Sequence, residues 1–222
     1  MGRNSVLIDL PEFTIRQVAV SEMDNNVYLI TVKSSGAQIL IDAADEPSTC
    51  LRLIDSAKAD AAVAPRLHAI VTTHSHWDHI RALKEVAQAT GATTVAGTED
   101  VGQIEVTCGL KIDRHVEHGD YLQLEGFLIP VIGLRGHTPG SIALAVERPD
   151  QPTHLFTGDS LFPGGVGNTN RDPARFKSLW TDVSERLFDC YDDDSVVHPG
   201  HGKPTTLGAE RPHLGEWAAR GW

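Results

Sequence analysis

Four metal-capable side chains fall within the six residues His74-Ser75-His76-Trp77-Asp78-His79, directly after the apolar run Ala69-Ile70-Val71. Zinc and its neighbours take imidazole nitrogen and carboxylate oxygen, and catalytic sites leave one coordination position open for water. If residues 74–76 stay extended, His74 and His76 share one face, because side chains alternate along a strand. Asp78 and His79 are adjacent, so in extended chain they point apart, where they would serve a second ion or orient a water.

Three later segments carry more such residues. Gly136-His137-Thr138-Pro139-Gly140-Ser141 follows one apolar run, Thr157-Gly158-Asp159 follows Leu155-Phe156, and His198-Pro199-Gly200-His201-Gly202 follows Val196-Val197. Each places a His or Asp just past a strand-like stretch. That recurrence is what a site built at the carboxyl ends of strands produces.

The remaining pattern is that of a layered α/β protein. Val27–Val32 and Gln38–Asp42 read as strands around the turn Ser34-Ser35-Gly36, and Ser48 or Thr49 is placed to cap a helix through Leu51, Leu53, Ile54 and Ala57. Leu83, Val86 and Ala87 at helical spacing, ended by Gly91, predict a helix leading away from the cluster. Further strands are expected near Tyr121–Leu124, Phe127–Ile132, Ile142–Val146 and Thr153–Thr157. Phe176, Leu179, Trp180, Val183 and Leu187 form a core-facing helical stripe. No repeat or linker divides the 222 residues, so one domain over 1–222 is expected.

Composition narrows the partners. A net charge of -11 disfavours nucleic acid, whose affinity comes from Lys and Arg neutralising phosphates. The N-terminal stretch from Met1 to Leu7 has neither an apolar signal region nor an acylation pattern, and no later stretch suits a bilayer. Cys50, Cys108 and Cys190 are odd in number and widely spaced, as in free thiols of a reducing compartment. A cytoplasmic enzyme acting on a small molecule is the expectation; the oligomeric state is left open.

Taken together, the ordered motifs HSHWDH, GHTPGS, TGDSLF and HPGHG resemble those of the metallo-β-lactamase fold superfamily, within it the glyoxalase II-type hydrolases of short bacterial form. The resemblance runs from Asn26-Val27-Tyr28-Leu29 to His201. It implies an αββα sandwich, an α/β fold. It also implies two divalent ions, zinc first, with iron or manganese compatible. His74, His76 and His137 would hold one ion, Asp78, His79 and His201 the other, with Asp159 bridging. Asp78 would also orient the hydroxide that two such ions generate from water at neutral pH. The implied reaction is hydrolysis of a hydroxyacyl-thioester such as S-lactoylglutathione, or an analogue on another thiol.

Some positions depart from that pattern. Arg81-Ala82 stands where these enzymes carry a Gly-Gly pair, and only Lys203, Arg211 and Arg220 offer basic groups after His201. The alternatives are an ester or lactone hydrolase of the same fold, or an iron oxidoreductase resembling persulfide dioxygenases. The latter use the equivalents of His74, His137 and Asp159 alone. His68, His115, His118, His154 and His213 lie outside the motifs and read as structural or solvated, and His198 as structural or supporting the site.

Overall fold

The computed structural model describes residues 6–221. The reading of the N-terminal stretch therefore falls largely on residues outside those described. Among the described residues no helix is long and apolar enough to cross a membrane.

The first sheet contains β1 (Val6–Asp9), β2 (Phe13–Val20), β3 (Asn25–Val32), β4 (Ala37–Ile41), β5 (Arg66–Thr72), β6 (Thr93–Gly97) and β7 (Arg114–Val116), side by side in that order. It is antiparallel up to β4 and parallel from β4 to β7. The second sheet takes β8 (Tyr121–Leu124), β9 (Phe127–Gly133), β10 (Ile142–Val146), β11 (His154–Gly158), β14 (Val196–Pro199) and β15 (Thr205–Thr206). Its order is β15-β14-β11-β10-β9-β8, and β11 and β14 run parallel. A short hairpin, β12 (Leu161–Phe162) with β13 (Gly165–Val166), lies in the loop after Asp159.

Alternation along the strands builds three apolar layers. On β3, Val27 and Leu29 face helices α1 (Pro47–Ser56), α2 (Leu83–Thr90) and α3 (Thr98–Cys108), packing on Leu53, Leu83, Val86 and Ile104. Tyr28, Ile30 and Val32 face inward and meet Ile142, Leu144 and Phe156 of the second sheet. Ala143 and Ala145 of β10 turn the other way, onto Leu179 and Val183 of α4 (Pro173–Val183). Two short helices, α5 (Leu207–Glu210) and α6 (Leu214–Arg220), complete that layer, with Trp217 buried in it. Strands covered on both faces are mostly apolar, and β3, β4 and β10 are buried at every position, with the polar Asn25, Asn26 and Gln38 donating to Asp78, Pro199 O and Thr31. Each buried Leu, Ile or Phe contributes about 1.5–3 kcal/mol. The αββα sandwich implied by the resemblance is the fold observed.

Local differences have plain causes. Helix α1 opens at Pro47 behind Glu46, so neither Ser48 nor Thr49 caps it. Proline suits the first helical turn, where its missing N–H has no partner to lose. The Phe176–Leu187 stripe is interrupted by a wider π-turn over Ser184–Phe188, yet Leu179, Val183 and Leu187 still reach the core. Gly91 ends α2 in the left-handed conformation, as expected.

Candidate metal centre

Strand β5 delivers the first cluster. After Thr72 the chain stays out of regular structure through His76, then makes one tight 3-10 turn over Trp77–His79. Such a turn separates successive side chains by about 120°, not the 180° of a strand. Asp78 and His79 therefore converge rather than point apart, with Asp78 Oδ2 3.6 Å from His79 Nε2.

The second sheet supplies the rest. His137 lies in the β9–β10 loop, Asp159 follows β11, and His201 follows β14. Because Gly158 pairs with Pro199 across these parallel strands, Asp159 and Gly200 emerge side by side. Two backbone hydrogen bonds join the sheets at this end: Ile142 N–H to Thr73 O (2.9 Å) and Asn26 N–H to Gly200 O (2.7 Å).

All seven motif residues gather there. His74, His76 and His137 present nitrogens within 4.8 Å of one another, and the ligand atoms of Asp78, His79 and His201 do the same. Asp159 faces both groups: its Oδ2 is 4.0 Å from His74 Nε2, 3.6 Å from His137 Nε2 and 3.5 Å from His201 Nε2, while Oδ1 is 3.4 Å from His79 Nε2. His74 Nε2, His137 Nε2 and Asp159 Oδ1 are buried without a hydrogen-bond partner. Buried polar atoms are almost always paired, so three orphans aimed at one point mark the place of a cation. The His and Asp clusters fit a dinuclear metal site.

Four of the rings, those of His74, His79, His137 and His201, are held through Nδ1, which leaves Nε2 toward that point. His79 Nδ1 donates to Asp42 Oδ2 (2.9 Å), His137 Nδ1 to Asn168 O (2.8 Å) and His201 Nδ1 to Met23 O (2.9 Å). The Thr73 hydroxyl donates to Asp42 Oδ2 (2.7 Å), so it accepts from His74 Nδ1 at 3.0 Å. Burial, with the neighbouring charge on His79, drives His74 well below the ordinary histidine value, and burial pushes His137 down to about 4. Both are neutral at physiological pH, the state a metal requires.

Three residues that carried no role in the motifs organise the centre. Asp42 accepts from Thr73 N–H, from the Thr73 hydroxyl and from His79, and is thus engaged as an orienting group although it lies among the ligand atoms. Asp100, at the start of α3, accepts from Ser75 N–H (2.8 Å), Gly140 N–H (2.8 Å) and the Thr138 hydroxyl, tying two ligand loops together. Asn25 donates to Asp78 Oδ2 (2.9 Å). The Asp42→Asn variant keeps the shape but loses the acceptor pair that sets two tautomers. It is expected to lower metal affinity about 10–100-fold, read by competition with a chelator.

His198 belongs elsewhere. Its Nε2 lies 2.9 Å from His154 Nδ1, and its ring stacks on Phe156 between the sheets. His213 sits at the surface near Glu216.

Without a cation, the carboxylates around His79 and His201 favour a proton on these rings. Burial opposes charge on His79 and His201, but Asp159 and Asp42 raise the first, and Asp159 and Asp78 the second, each to about 10. Their Nε2 atoms lie 3.1 Å apart and face the same carboxylates, Asp159 and Asp78, which favour a proton there. These values exceed the unfolded value of about 6.5, so the stabilisation is complete below that pH and is lost as pH rises through about 10. Stripped protein is expected to lose thermal stability between about pH 7 and pH 10, and loaded protein to hold it, in paired melting curves.

The sequence profile of the metallo-beta-lactamase superfamily matches residues 20–201. The chain belongs to that superfamily. Most members of the metallo-beta-lactamase superfamily are hydrolases. The chain is 28% identical over 211 residues to hydroxyacylglutathione hydrolase GloC of Haemophilus influenzae, covering 89% of this chain and 94% of the relative. Among solved structures it is similar to TTHA1623 in a di-iron-bound form (31% identity, TM-score 0.69, 88% of this chain and 96% of that one). It is also similar to ETHE1 from Myxococcus xanthus (25% identity, TM-score 0.75, 92% and 84%).

Proposed function

We propose that this protein is a dinuclear metal-dependent thioester hydrolase, acting through a single domain over residues 1–222 on a hydroxyacyl-thioester of glutathione or of another thiol. One observation carries the reading: the second group, Asp78, His79 and His201, is complete beside the first, with Asp159 facing both. Similarity to a hydroxyacylglutathione hydrolase over nearly the whole of both chains supports it.

In this reading His74, His76 and His137 would hold one ion, Asp78, His79 and His201 the other, and Asp159 would serve both. Two bound divalent ions supply an activated water and charge stabilisation for a carbonyl under attack. The chain does the positioning. Before any ion binds, burial opposes charge on Asp78, but hydrogen bonds from His201 and Asn25 outweigh it and hold the carboxyl well below the usual carboxylate range. When His201 holds an ion, Asn25 still donates to Asp78 Oδ2 (2.9 Å). An ionised Asp78 accepts a hydrogen bond from the nucleophile and turns its lone pair toward the substrate. Arg175 donates to the carbonyls of Gly136 and His137, which holds the His137 loop in place. A thiolate leaves without a strong general acid, so no protonated side chain is needed on the leaving side. Zinc is the proposed metal, and the cytoplasm the proposed compartment.

A second reading, an iron oxidoreductase using only His74, His137 and Asp159, draws on the similarity to ETHE1. Metal analysis of protein purified without added metal, paired with a thioester-cleavage assay, separates the two. Two metals per chain and thiol release support the hydrolase. One iron with oxygen uptake on glutathione persulfide would sink it.

A further inference from the structure

Trp77 is 52% exposed although its neighbours Asp78 and His79 are buried. The guanidinium of Arg81 lies 3.8 Å above the centre of its ring, and Arg81 is itself tied to Asp45 at 2.6 Å. The backbone N–H of Arg81 adds a bond to Ala44 O (3.0 Å). An exposed indole is thus pinned in one orientation by a cation–π contact and an ion pair behind it. Pinning an aromatic ring at the surface is a feature of recognition sites, where rigid flat area binds at little entropic cost.

The ring borders an open groove that runs between α3 and α4 and reaches His76 and His137. Gln103 and Thr107 of α3 form one wall, and Ala174 and Ser178 of α4 the other. Arg81 is absent from its lining, so it covers Trp77 from behind. Two guanidiniums do reach the groove, and both are engaged. Arg175 serves the carbonyls of Gly136 and His137, and Arg135 forms a two-pronged pair with the buried Asp182. Glu99 adds a carboxylate to the same lining, and the whole chain carries a net charge of -11. Arg135 is thus neutralised by Asp182, while Arg175, whose partners are neutral carbonyls, keeps its charge beside the His137 loop.

We infer that Trp77, positioned by Arg81, is the specificity-determining wall of this groove, and that the groove takes a thioester bearing a flat apolar group. The inference rests on the hydrolase reading and names its substrate class. Water cleaves such a substrate to a carboxylic acid and a thiol, with the flat group on either product.

Three probes test it with metal-loaded enzyme: the acetyl and the 2-naphthoyl thioesters of N-acetylcysteamine, and S-acetyl-2-naphthalenethiol. Wild type is expected to favour one naphthyl probe over the acetyl one by about tenfold in kcat/KM, mostly through KM. Which naphthyl probe gains tells whether the acyl or the thiol side lies on the indole. Trp77→Ala is expected to erase that preference and Trp77→Phe to keep most of it. Thr107→Glu, on α3 in the same lining and outside the metal-ligand motifs, is expected to weaken naphthyl binding as well.

A non-cleavable thioether, S-(2-naphthylmethyl)-N-acetylcysteamine, gives the same comparison by calorimetry without turnover. Equal rates on all three probes, or a preference that survives Trp77→Ala with metal content intact, would overturn the inference. If Trp77→Ala loses metal or misfolds, the Thr107→Glu variant and the thioether decide. If wild type cleaves none of the probes but binds the thioether through Trp77, the hydrolase reading fails and the groove stands.

Discussion

Replacing Asp159 with alanine is expected to reduce the metal content from two ions per chain to about one and to lower kcat/KM by about a thousandfold or more. The argument is geometric. Asp159 lies 3.4–4.0 Å from nitrogens of His74, His79, His137 and His201, so it is the anion common to both groups. Without it Asp78 is the one carboxylate left within the second group, and two cations at close range would lose the carboxylate between them. Asp159→Asn retains the volume and one acceptor, so it should fall between wild type and alanine in both readouts. Metal analysis after dialysis, together with steady-state rates, checks the series. Two retained ions at an unchanged rate would refute the bridging role.

Gly200→Ala is expected to damage the site nearly as badly, although it removes no functional group. A Cβ there would lie 2.1 Å from Asp159 Oδ1 and 2.8 Å from His79 Cε1. Neither neighbour can retreat easily: Asp159 directly follows β11, and His79 is held through Asp42. A displacement of about 1 Å in a catalytic group costs on the order of a hundredfold in rate, and a comparable loss of metal affinity should accompany it. Gly102 on α3 is the control, since a Cβ there meets nothing within 4 Å. Gly102→Ala should leave activity unchanged and add about 0.5–1 kcal/mol of stability in denaturant unfolding. If both alanine variants behave alike, the close approach at Gly200 carries no weight.

Much of this architecture was legible in the amino-acid sequence, for reasons that differ by element. Strands β3, β4 and β10 are covered on both faces and so read as largely apolar runs, with only Asn25, Asn26, Thr31 and Gln38 polar. Strand β2 escaped notice because Arg16 and Gln17 interrupt it; Arg16 is matched by Asp60, which no local pattern foretells. Helix α3 escaped too, since Glu99, Gly102 and Gln103 blur its periodicity. The seven His and Asp residues were visible because each sits in a glycine- or histidine-rich motif. Asp42, Asp100 and Asn25 were not, because an isolated polar residue at a strand or helix end looks ordinary. Their roles arise from pairing: β4 lies parallel to β5 with Ile41 opposite Val71, and that places Asp42 beside Thr73. Trp77 gave no signal of its own, since its exposure depends on the tight turn that follows His76.

The two backbone hydrogen bonds that join the sheets beside the cluster have a consequence for how this protein responds to change elsewhere. His74, His76, Asp78 and His79 ride on one sheet, and His137, Asp159 and His201 on the other. The cluster therefore works as a caliper across the sandwich. A core substitution that slides one sheet by a fraction of an ångström, at Leu144 or Phe156 for example, changes the gap the ions must span. Metal affinity in such variants reports interior packing from a distance, and it should fall before any loss of secondary structure is seen.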